Sequence, residues 1–357
     1  MTAKTDLRNL TQDEIVQYVE DLGQPAFRGR QIMSWLYRPG ITDFSEMTDL
    51  AKKFRVILSE NARIFSFTDS VIQRSKDGCV KFGFPLEDGN IIESVLIPEP
   101  DRNTLCVSSQ VGCAMDCSFC LTATMGFLRN LTPSEIVNQV VAVGEFLRNE
   151  PKGKLIGPDR VTNIVFMGMG EPLNNLTNLI KSISILTEQR GLDMTSRRIT
   201  VSTCGIVPRM ERLGLETDVN LAISLHAVNE TCRDLLMPVN NRYSLKELLE
   251  ACRTYPMAKR KRIMFEYILL KDINDSDEDA RELAKILRNI PCKINLLPYN
   301  ESPGIPYKSP SRNRVYAFQK IVRDSGYSVF IRSSRGDDIS AACGQLAKQK
   351  QGEQSNA

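Results

Sequence analysis

The sequence predicts an α/β fold in which a partial (β/α)6 barrel follows a small N-terminal helical module and a β-hairpin extension. Beyond residue 130, apolar runs of strand length alternate with amphipathic helical patterns. Near-continuous apolar strands separated by helices are typical of a parallel sheet whose outer face is covered by those helices. About six such units fit the chain, fewer than the eight of a closed barrel. A partial barrel is therefore favoured over a doubly wound sheet.

Residues 1–60 have the pattern of short helices. Thr11 and Glu14 stand three residues apart at the start of TQDEIVQYVEDLG, as in a capping box, and Gly23 predicts where that helix ends. A second helical pattern, FRGRQIMSWLY, carries Arg28 and Arg30. These residues are expected to form an accessory module without chemistry of its own.

The segment 61–104 has the pattern of strands. The stretches RIFSFTDSVIQRS, CVKFGFPL and NIIESVLIP are separated by Asp77-Gly78 and Asp88-Gly89. Asp-Gly favours a tight hairpin turn because glycine adopts positive φ without steric cost. A β-hairpin extension that leads into the barrel is therefore predicted.

Residues 105–345 are predicted to form the barrel. Its first strand is LCVSS, and the later strands are predicted by the apolar runs VTNIVFM, ITVST, VNLAISL, IMFEYILL, KINLLP and VFIR. Thr132, Pro133 and Glu135 predict the start of the first barrel helix, because they supply a cap, a proline at the first helical position and a glutamate at the third. The polar residues 346–357 are expected to form a flexible tail.

Cysteine is abundant and histidine scarce, with 10 Cys and 1 His in 357 residues. A single histidine excludes metal sites that need two or three imidazoles from this chain. The N-terminus lacks an apolar secretion signal, and the apolar stretches are shorter than the ~20 residues that span a bilayer, so a cytoplasmic location is expected. There, ten cysteines predict thiols, metal ligands or catalytic groups and not a disulfide framework.

Cys113, Cys117 and Cys120 form a C-x3-C-x2-C motif directly after the strand LCVSS. Three thiolates at this spacing can converge on one centre. A structural zinc site is one interpretation, with Cys106 as a fourth ligand, although such sites prefer two C-x2-C pairs. Iron–sulfur clusters normally take four cysteines, so the other interpretation is a cluster with one iron left open to a substrate or cofactor.

This motif resembles that of the radical S-adenosylmethionine (SAM) superfamily, in which three cysteines hold a 4Fe-4S cluster and the open iron binds SAM. The segment MGMGEP, which ends at Pro172, follows the next strand and resembles the GGEP element that holds the SAM amino group. Glycines allow close approach of the backbone, and Glu171 can pair with an ammonium group. The resemblance implies that the partial barrel is a radical SAM barrel.

Longer stretches resemble the RlmN/Cfr family of RNA adenine methyltransferases, namely CVSSQVGCAMDCSFC, GFLRNLT, FMGMGEPLNN, VSTCG, AISLHA, KINLLPYN and RGDDISAACGQL. The resemblance implies that Cys343 accepts a methyl group from SAM and that its carbon, after radical hydrogen abstraction, adds to adenine. Two SAM molecules are thus used per turnover. It further implies that Glu93 removes the C2 proton and that Cys106 attacks Cys343, which releases the RNA and leaves a transient disulfide.

The resemblance also implies a set of SAM contacts at strand ends, where α/β barrels place their ligands. These contacts are Gly170, Glu171, Ser202, Ser224, Leu225, His226 and Asn300. The other cysteines are expected to be small buried hydrophobic residues, and they are Cys79, Cys204, Cys232, Cys252 and Cys292.

The motifs resemble the C2-methylating branch of the family more than the C8-methylating resistance branch. That implies one adenine of the peptidyl transferase loop of 23S rRNA and the adenine beside the anticodon of some tRNAs as substrates. It also implies residues 1–60 as an RNA-binding module, an electron donor such as flavodoxin or ferredoxin, a thiol reductant for the disulfide, and a monomeric enzyme. The net charge of +3 does not by itself indicate RNA, although Arg197-Arg198 and the run KRKR at 259–262 are local basic clusters.

Three alternatives stay open at this point. One is a C8-methylating enzyme of the resistance type, and a second is a radical SAM enzyme that acts on a small molecule or peptide. The third is an RNA-binding protein stabilised by zinc and without catalysis. Salt-sensitive RNA binding would argue against the enzyme that acts on a small molecule or peptide. Anaerobic iron–sulfur reconstitution followed by SAM cleavage would argue against the zinc-stabilised protein without catalysis.

Overall fold

Fourteen strands are present in the computed structural model, which describes residues 4–151 and 153–346. In chain order the strands are β1 (Thr5–Asp6), β2 (Ala62–Arg63), β3 (Val71–Arg74), β4 (Val80–Pro85), β5 (Ile91–Glu99), β6 (Arg102–Cys106), β7 (Gln110–Gly112), β8 (Phe127–Asn130), β9 (Asn163–Phe166), β10 (Ile199–Thr203), β11 (Asn220–Ser224), β12 (Ile263–Leu269), β13 (Cys292–Pro298) and β14 (Val329–Ile331).

Eleven α-helices lie within the same described residues. They are α1 (Gln12–Asp21), α2 (Phe27–Leu36), α3 (Lys52–Asn61), α4 (Leu121–Thr124), α5 (Pro133–Asn149), α6 (Leu176–Thr187), α7 (Val207–Glu216), α8 (Glu230–Leu236), α9 (Leu245–Thr254), α10 (Asp277–Ile286) and α11 (Arg312–Asp324). None of the helices described is long and apolar enough to cross a membrane.

Ten of the strands form one sheet in the order β14-β13-β12-β11-β10-β9-β6-β5-β4-β3. From β6 to β14 every neighbouring pair is parallel, whereas β3, β4 and β5 extend the sheet in antiparallel register. Helices connect the successive parallel strands, as the alternation of apolar runs predicts. The predicted α/β fold with a partial barrel is confirmed.

Local sequence signals account for the element ends. The side chains of Thr11 and Glu14 form the predicted capping box of α1, and Thr132 and Glu135 do the same for α5. The Asp-Gly turns lie where the strands reverse, between β3 and β4 and between β4 and β5. The glycines of both turns have positive φ.

A buried arginine joins the N-terminal helices to the barrel. Arg8 is only 2% exposed. Its guanidinium donates to the carbonyls of Leu36 (2.7 Å) and Ile41 (3.3 Å) on one side. On the other side it donates to the carbonyl of Phe65 (2.8 Å) and to Oδ1 of Asn138 on α5 (2.7 Å). Truncation of this side chain leaves several buried acceptors without a donor.

We therefore expect Arg8→Ala to lower the free energy of unfolding by about 3 kcal/mol or more, since each buried polar group left unsatisfied costs about 1–3 kcal/mol. Urea denaturation of the full chain measures the change. Arg30→Ala is the matched control, because Arg30 is an exposed arginine on α2 and such changes stay within about 0.5 kcal/mol. Equal effects of the two substitutions would contradict the structural role of Arg8.

The C-terminal end of the described chain packs on the barrel. Leu346, the first residue of the predicted flexible tail, is 4% exposed. The remainder of that tail, 347–357, lies outside the described residues.

Candidate active site

Polar and sulfur-bearing residues gather where the parallel strands end. Cys106 ends β6, Ser224 ends β11, and Ser202 stands one residue before the end of β10. The segment 167–171 directly follows β9. Because the carboxyl ends of parallel strands share one edge of a sheet, these residues lie around a common centre.

The cysteine motif forms a folded loop between the hairpin strand β7 and helix α4. The Cys113 N–H donates to the carbonyl of Gly126 at 2.9 Å, and the Cys120 N–H donates to the carbonyl of Cys117 at 3.1 Å. Ser118, inside the motif, donates its N–H to the carbonyl of Leu236 at the end of α8 (3.0 Å). The loop is therefore anchored both to its own hairpin and to α8.

The three thiols lie close enough to influence one another. Burial raises the pKa of Cys113 to about 12, and Glu171 and Cys120 contribute in the same direction. Burial also raises the pKa of Cys117, to which Cys120, Cys113 and Glu171 add and which Arg233 opposes. Crowded thiols of this kind need a cationic centre to become thiolates, and metal coordination supplies one.

Among residues 4–151 and 153–346, no three His, Cys, Asp or Glu side chains converge as closely as a single metal ion requires. A four-iron cluster is wider than one ion and holds its cysteines further apart. Three cysteine side chains on one anchored loop, without a fourth sulfur in the motif, fit a cluster that leaves one iron free.

Glu171 is held beside the cysteine loop by backbone groups. Its carboxylate accepts the N–H groups of Leu173 (2.9 Å) and Cys204 (2.8 Å), and its own N–H donates to Oε1 of Gln110 (2.8 Å). Burial raises the pKa of Glu171, and the hydrogen bonds that its carboxylate accepts from Cys204 and Leu173 act against the rise. Gly170, at φ +99°, is required here because a Cβ would lie 2.5 Å from the side chain of Gln110.

His226 packs and accepts a hydrogen bond at this centre and is not placed as an acid–base group. Its Nδ1 accepts the N–H of Ile268 at 3.0 Å, and its ring meets that of Phe119 edge-on at 5.0 Å between centroids. Burial, assisted by the charge of Arg233, lowers the pKa of His226 to about 3. The imidazole is therefore neutral at physiological pH.

The other expected SAM contacts lie along the same edge. Ser202 and Leu225 are buried, while Ser224 and Asn300 are half-buried. Asn300 follows β13, and its carbonyl accepts the hydroxyl of Ser302 at 3.4 Å.

Cys343 lies against the cysteine loop although it is distant in sequence. The carbonyl of Gly344 accepts the N–H of Leu121 at 2.7 Å, and the carbonyl of Leu346 accepts the hydroxyl of Thr122 at 2.6 Å. Cys343 is an exposed residue, yet burial of its thiol raises the pKa to about 11, with Glu266 and Cys120 adding to the rise and Arg332 opposing it. Both observations fit a thiol inside an open cleft.

The Cys106 thiol is a neighbour of the Cys343 thiol. Burial raises the pKa of Cys106, and Cys343 adds to the rise. Both cysteines are free thiols in the structure. Two free thiols can form a disulfide with one another when their sulfurs come into contact and an oxidant or a sulfur leaving group is present.

Glu93 lies on β5, on the same face as Cys106. Val95 pairs directly with Cys106 across the antiparallel ladder, and side chains two residues apart on a strand share a face. The Glu93 carboxylate is buried, with Nζ of Lys81 at 3.3 Å. Lys81 also donates to the carbonyl of Ser340 at 3.4 Å, three residues before Cys343. The structure thus connects Glu93 to the segment that carries Cys343.

Sequence reasoning missed several groups near this centre. Cys204, expected only to fill space, is buried but lies beside Glu171, Cys117 and Cys113. Glu266 is a buried carboxyl group whose pKa burial raises to about 7, against the effects of Asn295 and Arg332. Cys204 directly follows β10, and this position was the available signal, whereas Glu266 lies in the middle of β12, where the sequence offered none. Of the other cysteines expected to be buried, Cys79, Cys252 and Cys292 are buried and Cys232 is half-buried.

Comparison with known proteins gives two family matches. Residues 5–64 match the model of the ribosomal RNA large subunit methyltransferase N-terminal domain, and residues 107–284 match that of the radical SAM superfamily. The first match covers most of the helical N-terminal module, and the second covers the cysteine loop and the strands β9 to β12.

Curated relatives and one solved structure match almost the whole chain. "Dual-specificity RNA methyltransferase RlmN" of Desulfotalea psychrophila is 71% identical over 99% of this chain and 97% of its own. The protein of the same name from Geobacter sulfurreducens is 50% identical over 97% and 93%. The crystal structure of a radical SAM methyltransferase from Sphaerobacter thermophilus is 44% identical, with a TM-score of 0.88 over 96% of this chain and 99% of its own.

Proposed function

The chain belongs to the RlmN family of dual-specificity RNA methyltransferases, and from this premise we propose that it methylates C2 of adenine through a covalent intermediate on Cys343. It is a SAM-dependent radical SAM enzyme that methylates rRNA and tRNA. The proposed substrates are one adenine of the peptidyl transferase loop of 23S rRNA and the adenine beside the anticodon of some tRNAs. Residues 1–60 serve as the RNA-binding module, residues 61–104 lead into the barrel, and residues 105–345 form the catalytic barrel.

The cofactors of this family are a 4Fe-4S cluster and SAM, which together supply a methyl group and a carbon-centred radical when bound. Cys113, Cys117 and Cys120 are the proposed cluster ligands, on the loop whose thiols crowd together. The groups proposed to bind SAM surround that loop along the strand ends, and they are Gly170, Glu171, Ser202, Ser224, Leu225, His226 and Asn300. In this proposal the buried Glu171 carboxylate pairs with the ammonium group of SAM.

Cys343 is the proposed methyl carrier. An aromatic C–H group has no lone pair that could attack a methyl donor directly, whereas a thiolate accepts a methyl group readily. Cys343 is an exposed residue, and the carbonyl of the next residue, Gly344, accepts the N–H of Leu121 directly after Cys120. Cys343 can therefore meet both the methyl donor at the cluster loop and an RNA base that enters from solution. Its methyl carbon becomes the new carbon of the RNA.

Cys106 and Glu93 complete the reaction in this proposal. Radical addition leaves an unpaired electron on the adenine joined to Cys343. That adduct must give up one electron, which the oxidised cluster would accept when bound, and the Glu93 carboxylate takes its C2 proton. The Cys106 thiolate then forms an S–S bond with Cys343, and the C–S bond to the RNA breaks. The electron pair of that bond stays on the carbon, which takes up a proton and becomes the methyl group. A thiol reductant supplies two electrons to reopen the Cys106–Cys343 disulfide.

The observation that carries the proposal is that the segment of Cys343 is hydrogen-bonded to the residues directly after the cysteine motif. Through Lys81 it is also connected to Glu93, which lies on the same sheet face as Cys106. The test is methyl transfer from methyl-deuterated SAM to a 23S rRNA fragment and to tRNA transcripts under anaerobic, reducing conditions. Nucleosides are then analysed by mass spectrometry and NMR. Label at adenine C2 supports the proposal, whereas label at C8 assigns the chain to the resistance branch.

The remaining expectations concern the setting of the enzyme. We propose a monomer in the cytoplasm that receives single electrons from a flavodoxin or ferredoxin. The RNA base must be unstacked to reach the cleft, as in other enzymes that modify bases. We therefore propose that 23S rRNA carrying little ribosomal protein is the better substrate, because its peptidyl transferase loop is more exposed.

Glu93→Gln is expected to lower the rate of RNA methylation about 100-fold or more, which is the usual range for loss of a general base. Since proton removal precedes release in this scheme, the covalent protein–RNA adduct should accumulate even though Cys106 is present. Denaturing gels with labelled RNA measure both effects. Glu99→Gln is the control, because Glu99 lies on the same strand in a partly exposed ion pair with Arg102. An unchanged rate in Glu93→Gln would remove Glu93 from the mechanism.

A further inference from the structure

A buried arginine on α8 stands beside the cysteine loop without a full set of partners. Arg233 is 1% exposed. Its Nη2 donates to the carbonyls of Cys204 (2.8 Å) and Ser224 (3.3 Å), at the ends of β10 and β11. Within the described chain, its Nε and Nη1 are buried and have no hydrogen-bond partner. Two of the three guanidinium nitrogens therefore remain available.

Glu230, on the same helix, acts on Arg233 electrostatically, but among the described residues its carboxylate makes no hydrogen bond with the guanidinium. Glu230 accepts the side-chain amide of Asn240 at 2.6 Å and the N–H of Leu245 at 3.2 Å through its Oε2. A buried cation without a hydrogen-bonded counter-charge is costly, and proteins pair such groups with an anion or a metal site. The arrangement around Arg233 therefore indicates an anionic group that the protein binds.

Helix α8, which carries Arg233, is hydrogen-bonded to the cysteine loop. The carbonyl of Leu236, one turn after Arg233 on α8, accepts the N–H of Ser118 inside the cysteine motif (3.0 Å). Cys204, whose carbonyl accepts from Arg233 Nη2, donates its own N–H to the carboxylate of Glu171 beside the same loop (2.8 Å for both hydrogen bonds). Arg233, Ser118 and Cys204 thus belong to one packed region between α8 and the loop.

We propose that Arg233 is the fixed counter-charge of the iron–sulfur cluster and raises the reduction potential of that cluster. The inference rests on the proposed placement of the cluster on Cys113, Cys117 and Cys120. Reduction adds one electron to the cluster and transfers no atom. The reduced form carries one more negative charge, so a buried cation nearby stabilises it more than the oxidised form. Net charge and hydrogen bonding are among the factors that set cluster potentials.

Arg233 acts through the cluster in this proposal, so it is a positioning and electrostatic residue. The charge has to be distinguished from the shape of the side chain. Arg233→Lys keeps the charge, whereas Arg233→Gln and Arg233→Met remove it at similar length. Arg253→Gln is the control, because Arg253 lies on the neighbouring helix α9 in an exposed ion pair with Glu250.

The experiment is an EPR-monitored potentiometric titration of the four reconstituted proteins and the wild type, with dithionite and mediators and without SAM. At the wild-type midpoint potential, we expect the ratio of reduced to oxidised cluster to fall at least tenfold in Arg233→Gln. That change equals a shift of about 59 mV for a one-electron couple. Arg233→Lys should regain most of the ratio, and Arg253→Gln should match the wild type.

Two results of the titration would overturn the proposal. One is an unchanged potential in a neutral variant that carries a full cluster, and the other is a shift in Arg233→Lys as large as that in Arg233→Gln. If the potential is unchanged and a separate binding assay shows weaker SAM binding, the arginine binds the SAM carboxylate instead. Should neither neutral variant take up a cluster, circular dichroism of the apoproteins decides. A wild-type spectrum with normal loading in Arg233→Lys supports the charge, and a disrupted spectrum shows a purely structural role. Methyl transfer by the wild type tests the proposed function separately.

Discussion

Cys106→Ala protein is expected to become covalently joined to its RNA substrate and to stop after one turnover. In the proposed reaction, only the Cys106 thiolate breaks the bond between the Cys343 sulfur and the RNA carbon. The Cys343 thiol acts electrostatically on the Cys106 thiol, and both are free. Alanine removes the attacking sulfur at a position that is 8% exposed, where water has little access to replace it. The adduct should therefore persist.

Denaturing electrophoresis with labelled RNA and mass spectrometry of the digested adduct measure this result. The crosslinked peptide should contain Cys343. Cys292→Ala is the matched control, because Cys292 is a buried cysteine that begins β13. That variant should release methylated RNA as the wild type does. Free methylated RNA with repeated turnover from Cys106→Ala would refute the resolving role.

Cys343→Ser is expected to reduce RNA methylation to below detection while the iron–sulfur cluster is retained. A serine hydroxyl is a far weaker nucleophile than a thiolate at neutral pH, so no methyl group is loaded and no carbon is available for adenine. The substitution changes one atom in a position reached by solvent, so the fold should tolerate it. Iron and sulfide content, together with the product assay, measure both parts of the prediction.

Two variants sharpen the interpretation of this loss. The double variant Cys106→Ala/Cys343→Ser should form no adduct, since the carrier acts before the resolving group. Cys232→Ala is the single-site control, because Cys232 is half-buried on α8 and has no part in the proposed chemistry. RNA methylation by Cys343→Ser at the wild-type rate would require another methyl carrier.

Local sequence signals were sufficient for much of the fold. The capping boxes at Thr11 and Thr132 and the Asp-Gly turns at residues 77–78 and 88–89 depend on neighbours within four residues. The cysteine triad is equally local, because its spacing alone predicts convergence. Such features are readable since their physical cause lies inside a short window of sequence.

The proximity of residues that the sheet brings together could not be predicted from local sequence. Spacing does not show that Cys343 lies beside Cys106, and only the family resemblance suggested that they act together. Arg233 stands in a helix pattern that contains nothing unusual, and Cys204 follows an apolar strand like an ordinary core residue. Their roles depend on which strand ends are neighbours, and that order is a property of the complete barrel.

The central claim is that the carbon added to RNA comes from the methyl group on Cys343. To test it, the protein is first loaded with methyl-13C SAM and freed of excess donor. It then receives RNA and unlabelled SAM for a single turnover. Mass spectrometry should find 13C in the methyl group of the first product, with loss of the label from the Cys343 peptide. An unlabelled product together with a Cys343 peptide that keeps its 13C methyl group would contradict the account.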